Sequence, residues 1–213
     1  MKKFLALLLS AILILGVFAG CGNAAKPGET TAETTAPAAK PAGTLYLSFG
    51  PTIEVAYDDA GNVLQITGTN EAGKTIADAS ADQVGKACVF AARKFLRYAS
   101  DNKLLGDAKS MVVRVGIGDP LPDDEFLSTI VTDCQYLADE ESTGIWLMQL
   151  TQEALDSDGN MTPAAAKKLA ARFLEVEESA LVGDDTITQG AYIYTGADKS
   201  CSVDAFTGLV TKK

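Results

Sequence analysis

Carboxylates and cysteines are the side chains of this chain whose types could do chemistry. Its 213 residues include 28 acidic residues, four cysteines and no histidine. The lack of histidine excludes a Ser-His-Asp or Cys-His nucleophilic site, histidine metal ligands and an imidazole base. Carboxylate catalysis, thiol chemistry and oxygen-ligand metal binding are left to consider.

A glycosidase needs two carboxylates, one to protonate the leaving group and one to act as nucleophile or base. Five acidic residues are candidates: Glu54, Asp58, Asp59, Glu153 and Asp185. No nucleophile or base constellation accompanies them, so we expect no enzymatic activity. A cell-envelope hydrolase that uses paired carboxylates is the alternative.

The segment from Asp156 to Asn160 resembles part of a calcium loop. In that register the first and twelfth ligand positions would be Ala154 and Ala165, which offer no side-chain oxygen. A plain Asp-Gly turn explains these residues equally well. We therefore expect no metal and no cofactor, with a calcium-organised structural module as a further alternative.

Three cysteines follow Cys21 in the chain, and they are Cys88, Cys134 and Cys201. None has the close pair spacing of a zinc site. Cys88 and Cys134 fall on the inward faces of predicted helices, so an oxidising compartment could join them if their Cα atoms come within about 7 Å. The alternative, which we favour, is three buried thiols that pack as small apolar side chains.

The first twenty residues predict export. Two lysines precede an apolar run from Phe4 to Val17, which partitions into the membrane while the lysines stay on the cytoplasmic side. The run ends in Phe18-Ala19-Gly20-Cys21, which resembles a bacterial lipoprotein processing site. The resemblance implies cleavage between Gly20 and Cys21, acylation of Cys21 and a lipid anchor on the extracytoplasmic face of the cell membrane. An uncleaved membrane-spanning anchor is the alternative.

Charge and composition describe the mature chain. Cleavage would remove two lysines and no acidic residue, so the net charge would fall from −10 to −12. This acidity argues against nucleic-acid binding, which depends on clustered cations. Residues 21–43 carry no large apolar side chain after Cys21 and predict a flexible spacer, because too little surface can be buried to offset the entropy of ordering.

The remaining sequence predicts an α+β fold of two small domains, each an antiparallel sheet with one or two helices packed on it. Domain 44–140 has predicted strands at 45–49, 52–57, 63–69 and 111–117, a turn at 70–74, and helices beginning near 80–82 and 123–124. Domain 141–213 has predicted strands at 145–150, 186–194, 199–204 and 209–211, and a helix capped by Thr162.

The first domain resembles the extracytoplasmic middle domain of RsgI-type anti-sigma factors. The residues that carry the resemblance are Pro51, Ile53, Glu54, Val55, Gly61, Val63, Asn70 and Gly73. In that family a transmembrane helix and a sigma-binding segment precede the domain. We find neither in this chain, so sigma binding is not carried over. Some members cut themselves at an Asn-Pro bond; the matching dipeptide is Gly50-Pro51, and since glycine lacks the attacking amide we expect this bond to stay intact.

The second domain resembles a PepSY domain. The likeness rests on residues 161–170, with Thr162 and Pro163 at the helix start, and on the segment from Val203 to Val210, which includes Asp204 and Gly208. It implies an extracytoplasmic module that restrains peptidases or serves binding and assembly. We therefore expect a non-catalytic, lipid-anchored module that binds, senses or restrains a peptidase, and whose partner is an envelope protein, a peptide or a wall component.

We expect metabolic labelling with palmitate to incorporate label into the chain at Cys21. A Cys21→Ser variant lacks the thiol that accepts the acyl chain and should carry no label. Recovery of the unlabelled wild-type chain among cytosolic proteins would contradict the export prediction.

Overall fold

A computed structural model describes residues 40–213 as an α+β fold. The strands are β1 Gly43–Ser48, β2 Thr52–Tyr57, β3 Val63–Gly68, β4 Ser110–Val115, β5 Trp146–Leu150, β6 Ala191–Gly196, β7 Lys199–Asp204 and β8 Val210–Lys212. The helices are α1 Glu71–Asp78, α2 Cys88–Asp101, α3 Phe126–Glu140 and α4 Pro163–Leu174. The predicted leader, the cleavage site and Cys21 lie outside the described residues, as does most of the predicted spacer.

The larger sheet has five strands in the order β3-β2-β1-β4-β5. Neighbouring strands run antiparallel except β4 and β5, which are parallel. Because side chains alternate across a strand, Leu45, Leu47 and Val55 share one face, which we call the front face, and they belong to a buried core that also includes residues of α1, α2 and α3. The opposite side is the back face.

Every residue of β4 is buried, unlike the alternating β1 and β2. Met111, Val113 and Val115 point to the front core, whereas Val112 belongs to a second core with Leu150 of β5. A strand that is covered on both faces reads as a continuous apolar run. The back face of β4 and β5 is therefore an interior surface.

The second core lies between that back face and the C-terminal half of the chain. Helix α4 contributes Ala166, Leu169 and Ala170, and the antiparallel sheet β6-β7-β8 contributes Tyr192 and Val203. Thr162 caps α4 by accepting the N–H of Ala165, and Pro163 occupies the first turn, as predicted.

Strand β5 belongs to the same sheet as β1–β4. The boundary predicted after residue 140 groups it with the C-terminal half instead. A short apolar strand does not reveal its partner, because a parallel pairing joins segments that are far apart in sequence. The described residues 40–213 fall within one compact unit.

Three predicted elements are wrong in their details. Segment 70–74, expected to be a turn, begins helix α1, with Asn70 as its N-cap. The helix expected from 80–82 begins at Cys88, after a short 3-10 turn, so Val84 is exposed rather than inward. The strand expected at 186–194 begins at Ala191. In each case the local pattern fits either structure, and tertiary packing decides.

Gly208 lies where the C-terminal half packs closely against β4. Its φ is +73°, and an added Cβ would lie 2.9 Å from Cγ2 of Val112 on β4. Gly159 has a comparable φ of +83°, but its Cβ would meet only Phe206 at 3.7 Å. We expect Gly159→Ala to lower the free energy of unfolding by about 1 kcal/mol through backbone strain.

Gly208→Ala should lower it by about 3 kcal/mol, because overpacking adds to the same strain. Urea unfolding of the two variants measures the difference. Equal losses would show that the C-terminal turn does not press against β4.

Candidate functional site

A row of charged and aromatic side chains crosses the back face of the large sheet from β2 to β4. Glu54 on β2 is opposite Tyr46 on β1, and Tyr46 is opposite Arg114 on β4. Adjacent strands are about 4.8 Å apart, so the three side chains rise side by side. Thr67 on β3 is opposite Glu54 and extends the row, and Thr52 is two residues before Glu54 on β2.

Arg114 is 2% exposed and lies between two aromatic rings. The carbon of its guanidinium is 4.3 Å from the ring centroid of Tyr46 and 4.2 Å from that of Phe206. The two rings meet edge to face, with centroids 5.7 Å apart. Cation–π contacts of this kind attract the guanidinium to both rings and contribute roughly 0.5–2 kcal/mol each.

The turn between β7 and β8 places the Phe206 ring. The Asp204 carboxylate accepts the N–H of Phe206 at 3.1 Å, and the N–H of Thr207 at 2.6 Å. It also accepts the Thr207 hydroxyl at 2.8 Å, while Gly208 supplies the left-handed backbone conformation that closes the turn. Asp204 and Gly208, taken from the PepSY resemblance, thus shape this site.

The Arg114 guanidinium lacks an anionic partner among residues 40–213. Its Nη2 atom is buried without a hydrogen-bond acceptor, and none of the ion pairs in this part of the chain includes it. Burial lowers the pKa of Arg114, an effect that the nearby Tyr46 and Glu54 oppose. A buried charge that is not paired costs several kcal/mol. This arrangement therefore lowers the stability of the folded chain.

A cavity of about 160 Å³ borders the guanidinium. Hydroxyl groups line it, from Ser48, Thr52, Thr69 and Thr207, and Glu54 contributes one carboxylate. Sites for drug-sized ligands have about 300–1,000 Å³, so this volume suits a small polar group. A guanidinium fork with hydroxyl donors can bind a carboxylate or another small oxyanion. We call this feature the Arg114 cavity.

Glu54 is the only one of the five candidate carboxylates that lines the Arg114 cavity. Asp58 closes the β2–β3 turn, where hydrogen bonds from Asn62 lower its pKa. Asp185 forms a 2.8 Å ion pair with Lys167. The other two, Asp59 and Glu153, lie in the β2–β3 turn and in a 3-10 turn after β5. Apart from Asp58 and Asp59, which share a turn, the structure places these carboxylates in separate elements.

Four residues of the RsgI-type resemblance meet at the start of α1. The Asn70 amide donates to the carbonyl of Gly50 at 2.8 Å. The Asn70 Oδ1 atom accepts the N–H groups of Gly73 at 2.8 Å and Thr52 at 3.1 Å. Gly50 has a φ of +92°, followed by the buried Pro51. These contacts tie α1 to the β1–β2 turn and describe a structural role.

The possible calcium segment forms a turn in the structure. Oδ1 of Asp156 accepts the N–H groups of Asp158 and Asn160, both at 2.9 Å. Within residues 40–213, no group of three or more acidic or cysteine side chains could hold a metal ion. The same residues include no helix with the length and apolar character needed to cross a bilayer.

Trp146 lies partly buried against the second core. The guanidinium of Arg172 covers its ring at 4.3 Å from the centroid. This arginine, unlike Arg114, is exposed at the surface. The pair is therefore a solvated counterpart of the buried Arg114 stack.

Sequence reasoning missed Arg114, Tyr46 and Phe206 as site residues. Arg114 does carry a signal, since it is the one charged residue in the apolar run Met111–Val115. A charge within a strand that is otherwise buried requires an explanation. Its partners could not be found in this way, because they come from β1 and from the turn before β8.

Comparison with protein-family models and with curated proteins gave no match. The resemblances to the RsgI-type middle domain and to PepSY therefore stay predictions. The site has to be interpreted from its own geometry.

Cys88, Cys134 and Cys201 are all buried, and they form no disulfide in the structure of residues 40–213. Burial raises the pKa of Cys88 and Cys134 to about 12 and that of Cys201 to about 11. Because the thiolate is the reactive form, these groups should be inert at neutral pH.

We expect a thiol titration of the Cys21→Ser chain with Ellman's reagent at pH 8 to find almost no reactive thiol in the folded protein. After unfolding in guanidinium it should find three per chain, one for each remaining cysteine. A single thiol after unfolding would instead show that two of them, such as Cys88 and Cys134, are joined by a disulfide.

Proposed function

We propose that this chain is a lipid-anchored, non-catalytic binding module on the extracytoplasmic face of the cell membrane. It recognises a small anionic group in the Arg114 cavity and thereby senses a ligand, binds an envelope partner or restrains a peptidase. The observation that carries this function is a guanidinium that is 2% exposed and whose Nη2 atom has no partner. The anchor is inferred from the leader and Cys21.

The free-energy balance supports recognition over a purely structural role. A residue that only had to fill the space between Tyr46 and Phe206 could be apolar, since a well-packed apolar residue generally stabilises a core at least as much as a buried ion does. Stability given up at one position is typical of a binding site. An incoming anion would offset the desolvation of Arg114 and add charge-assisted hydrogen bonds.

The position of the site also supports this function. The Arg114 cavity lies where β1, β2 and β4 of the large sheet meet the turn before β8. Six of its nine lining residues lie on regular strands, which hold side chains more rigidly than loops do. Phe206 is 40% exposed and covers the guanidinium from the solvent side.

Acetate is a suitable probe for this function, because it offers a carboxylate and little else. We expect the melting temperature of the full lipidated chain in nanodiscs to rise with sodium acetate, relative to sodium chloride at equal ionic strength and pH. At ten times the dissociation constant the rise should be about 4 °C.

Arg114→Met should abolish this response without lowering the melting temperature in chloride. Arg172→Met is the matched control, because it removes an arginine that stacks on a ring outside the Arg114 cavity. It should keep the full response. An acetate effect that is absent from the wild type, or equal in Arg114→Met, would overturn the proposed function.

A further inference from the structure

Resting on the function proposed above, we propose that the Arg114 cavity binds a free α-amino acid as its zwitterion. The ligand carboxylate would lie against the Arg114 guanidinium and its ammonium group against the Glu54 carboxylate. The volume of the cavity favours small amino acids such as glycine, alanine and serine.

The first step is that one cavity holds both signs of charge. Arg114 and Glu54 line the same 160 Å³ space. They belong to β4 and β2, with β1 between them, which separates their Cα atoms by roughly 10 Å. Tyr46 lies between them in the cross-strand row.

The second step is that these two charges form no ion pair with each other. Arg93, Arg97 and Lys167 all form ion pairs in the structure, but Arg114 does not. Burial lowers the pKa of Arg114 and Glu54 raises it, yet Glu54 forms no ion pair with the guanidinium within residues 40–213. The lining of the cavity thus includes a positive and a negative side chain that no ion pair joins.

The third step concerns which ligand charge fits. A simple anion would gain from Arg114 but would be repelled by Glu54. An α-amino acid carries a carboxylate and an ammonium group on one carbon, so each end meets an opposite charge and the complex stays neutral. Opposite charges at both ends also fix the orientation of the ligand.

The fourth step concerns size and polarity. The volume leaves room for a short side chain beside the two charged groups. Thr52, Thr69 and Thr207 line the walls. The hydroxyls of Thr69 and Thr207 already donate to the Thr52 carbonyl and to Asp204, so they can accept from an ammonium group, whereas the Thr52 hydroxyl can donate to a carboxylate.

Isothermal titration calorimetry on the full chain in nanodiscs tests the proposal with three matched probes. These are L-alanine, N-acetyl-L-alanine, which lacks the ammonium charge, and L-alaninamide, which lacks the carboxylate. We expect alanine to bind at least tenfold more tightly than either analogue and than acetate. Glycine and serine should bind comparably to alanine, and L-tryptophan should not bind.

Glu54→Gln removes the negative charge of the cavity and leaves Arg114 in place, so it tests the two charges separately. Since Glu54 is only partly buried, this variant should fold as the wild type does, which circular dichroism checks. It should bind alanine at least tenfold more weakly and N-acetyl-alanine at least as tightly as the wild type does. Glu153→Gln, which changes a carboxylate outside the cavity, should alter neither affinity.

The outcomes distinguish this proposal from the proposed function. If acetate stabilises the protein but alanine binds no more tightly than N-acetyl-alanine, the proposed binding function stands and the proposal of a zwitterionic ligand is overturned. An alanine preference that persists in Glu54→Gln overturns it equally. If neither acetate nor alanine binds, both proposals fail.

Discussion

Strand β4 packs against helices on one face and against the C-terminal half on the other, and the described structure depends on this double burial. Val113 contributes to the front core and Val112 to the second core. Burying a branched apolar side chain contributes about 1.5–3 kcal/mol, so β4 stabilises both halves at once. The close approach of Gly208 to Val112 is one consequence. A substitution on β4 would therefore alter the packing of both cores.

Arg114 is the exception within this apolar strand, and its position explains why the site lies where it does. On β4 the back face changes from covered to open, so a charge there is buried but borders a cavity. The rings of Tyr46 and Phe206 supply attraction without an opposite charge. Rings attract a cation more weakly than a carboxylate does. The guanidinium therefore remains without the anionic partner that a full ion pair would supply.

Sequence patterns predicted the local elements well and the long-range ones poorly. The hairpin of β2 and β3, the Thr162 cap of α4 and strand β7 appear as predicted, because turn residues and caps act over a few positions. Helix α1 was missed because Asn70 and Gly73 are also turn residues. For the site, Glu54 was singled out as a possible catalytic carboxylate, yet the structure places it beside an arginine that the sequence left unremarked.

The sequence by itself determined the α+β class, the segments that alternate or cap, and the carboxylate and thiol chemistry open to a chain without histidine. These follow from periodicity, turn chemistry and composition, which are properties of neighbouring residues. Only the tertiary structure decided that β5 pairs with β4, and that Tyr46, Arg114 and Phe206 meet. Such contacts join residues far apart in the chain, and their formation depends on burying two faces of one strand together.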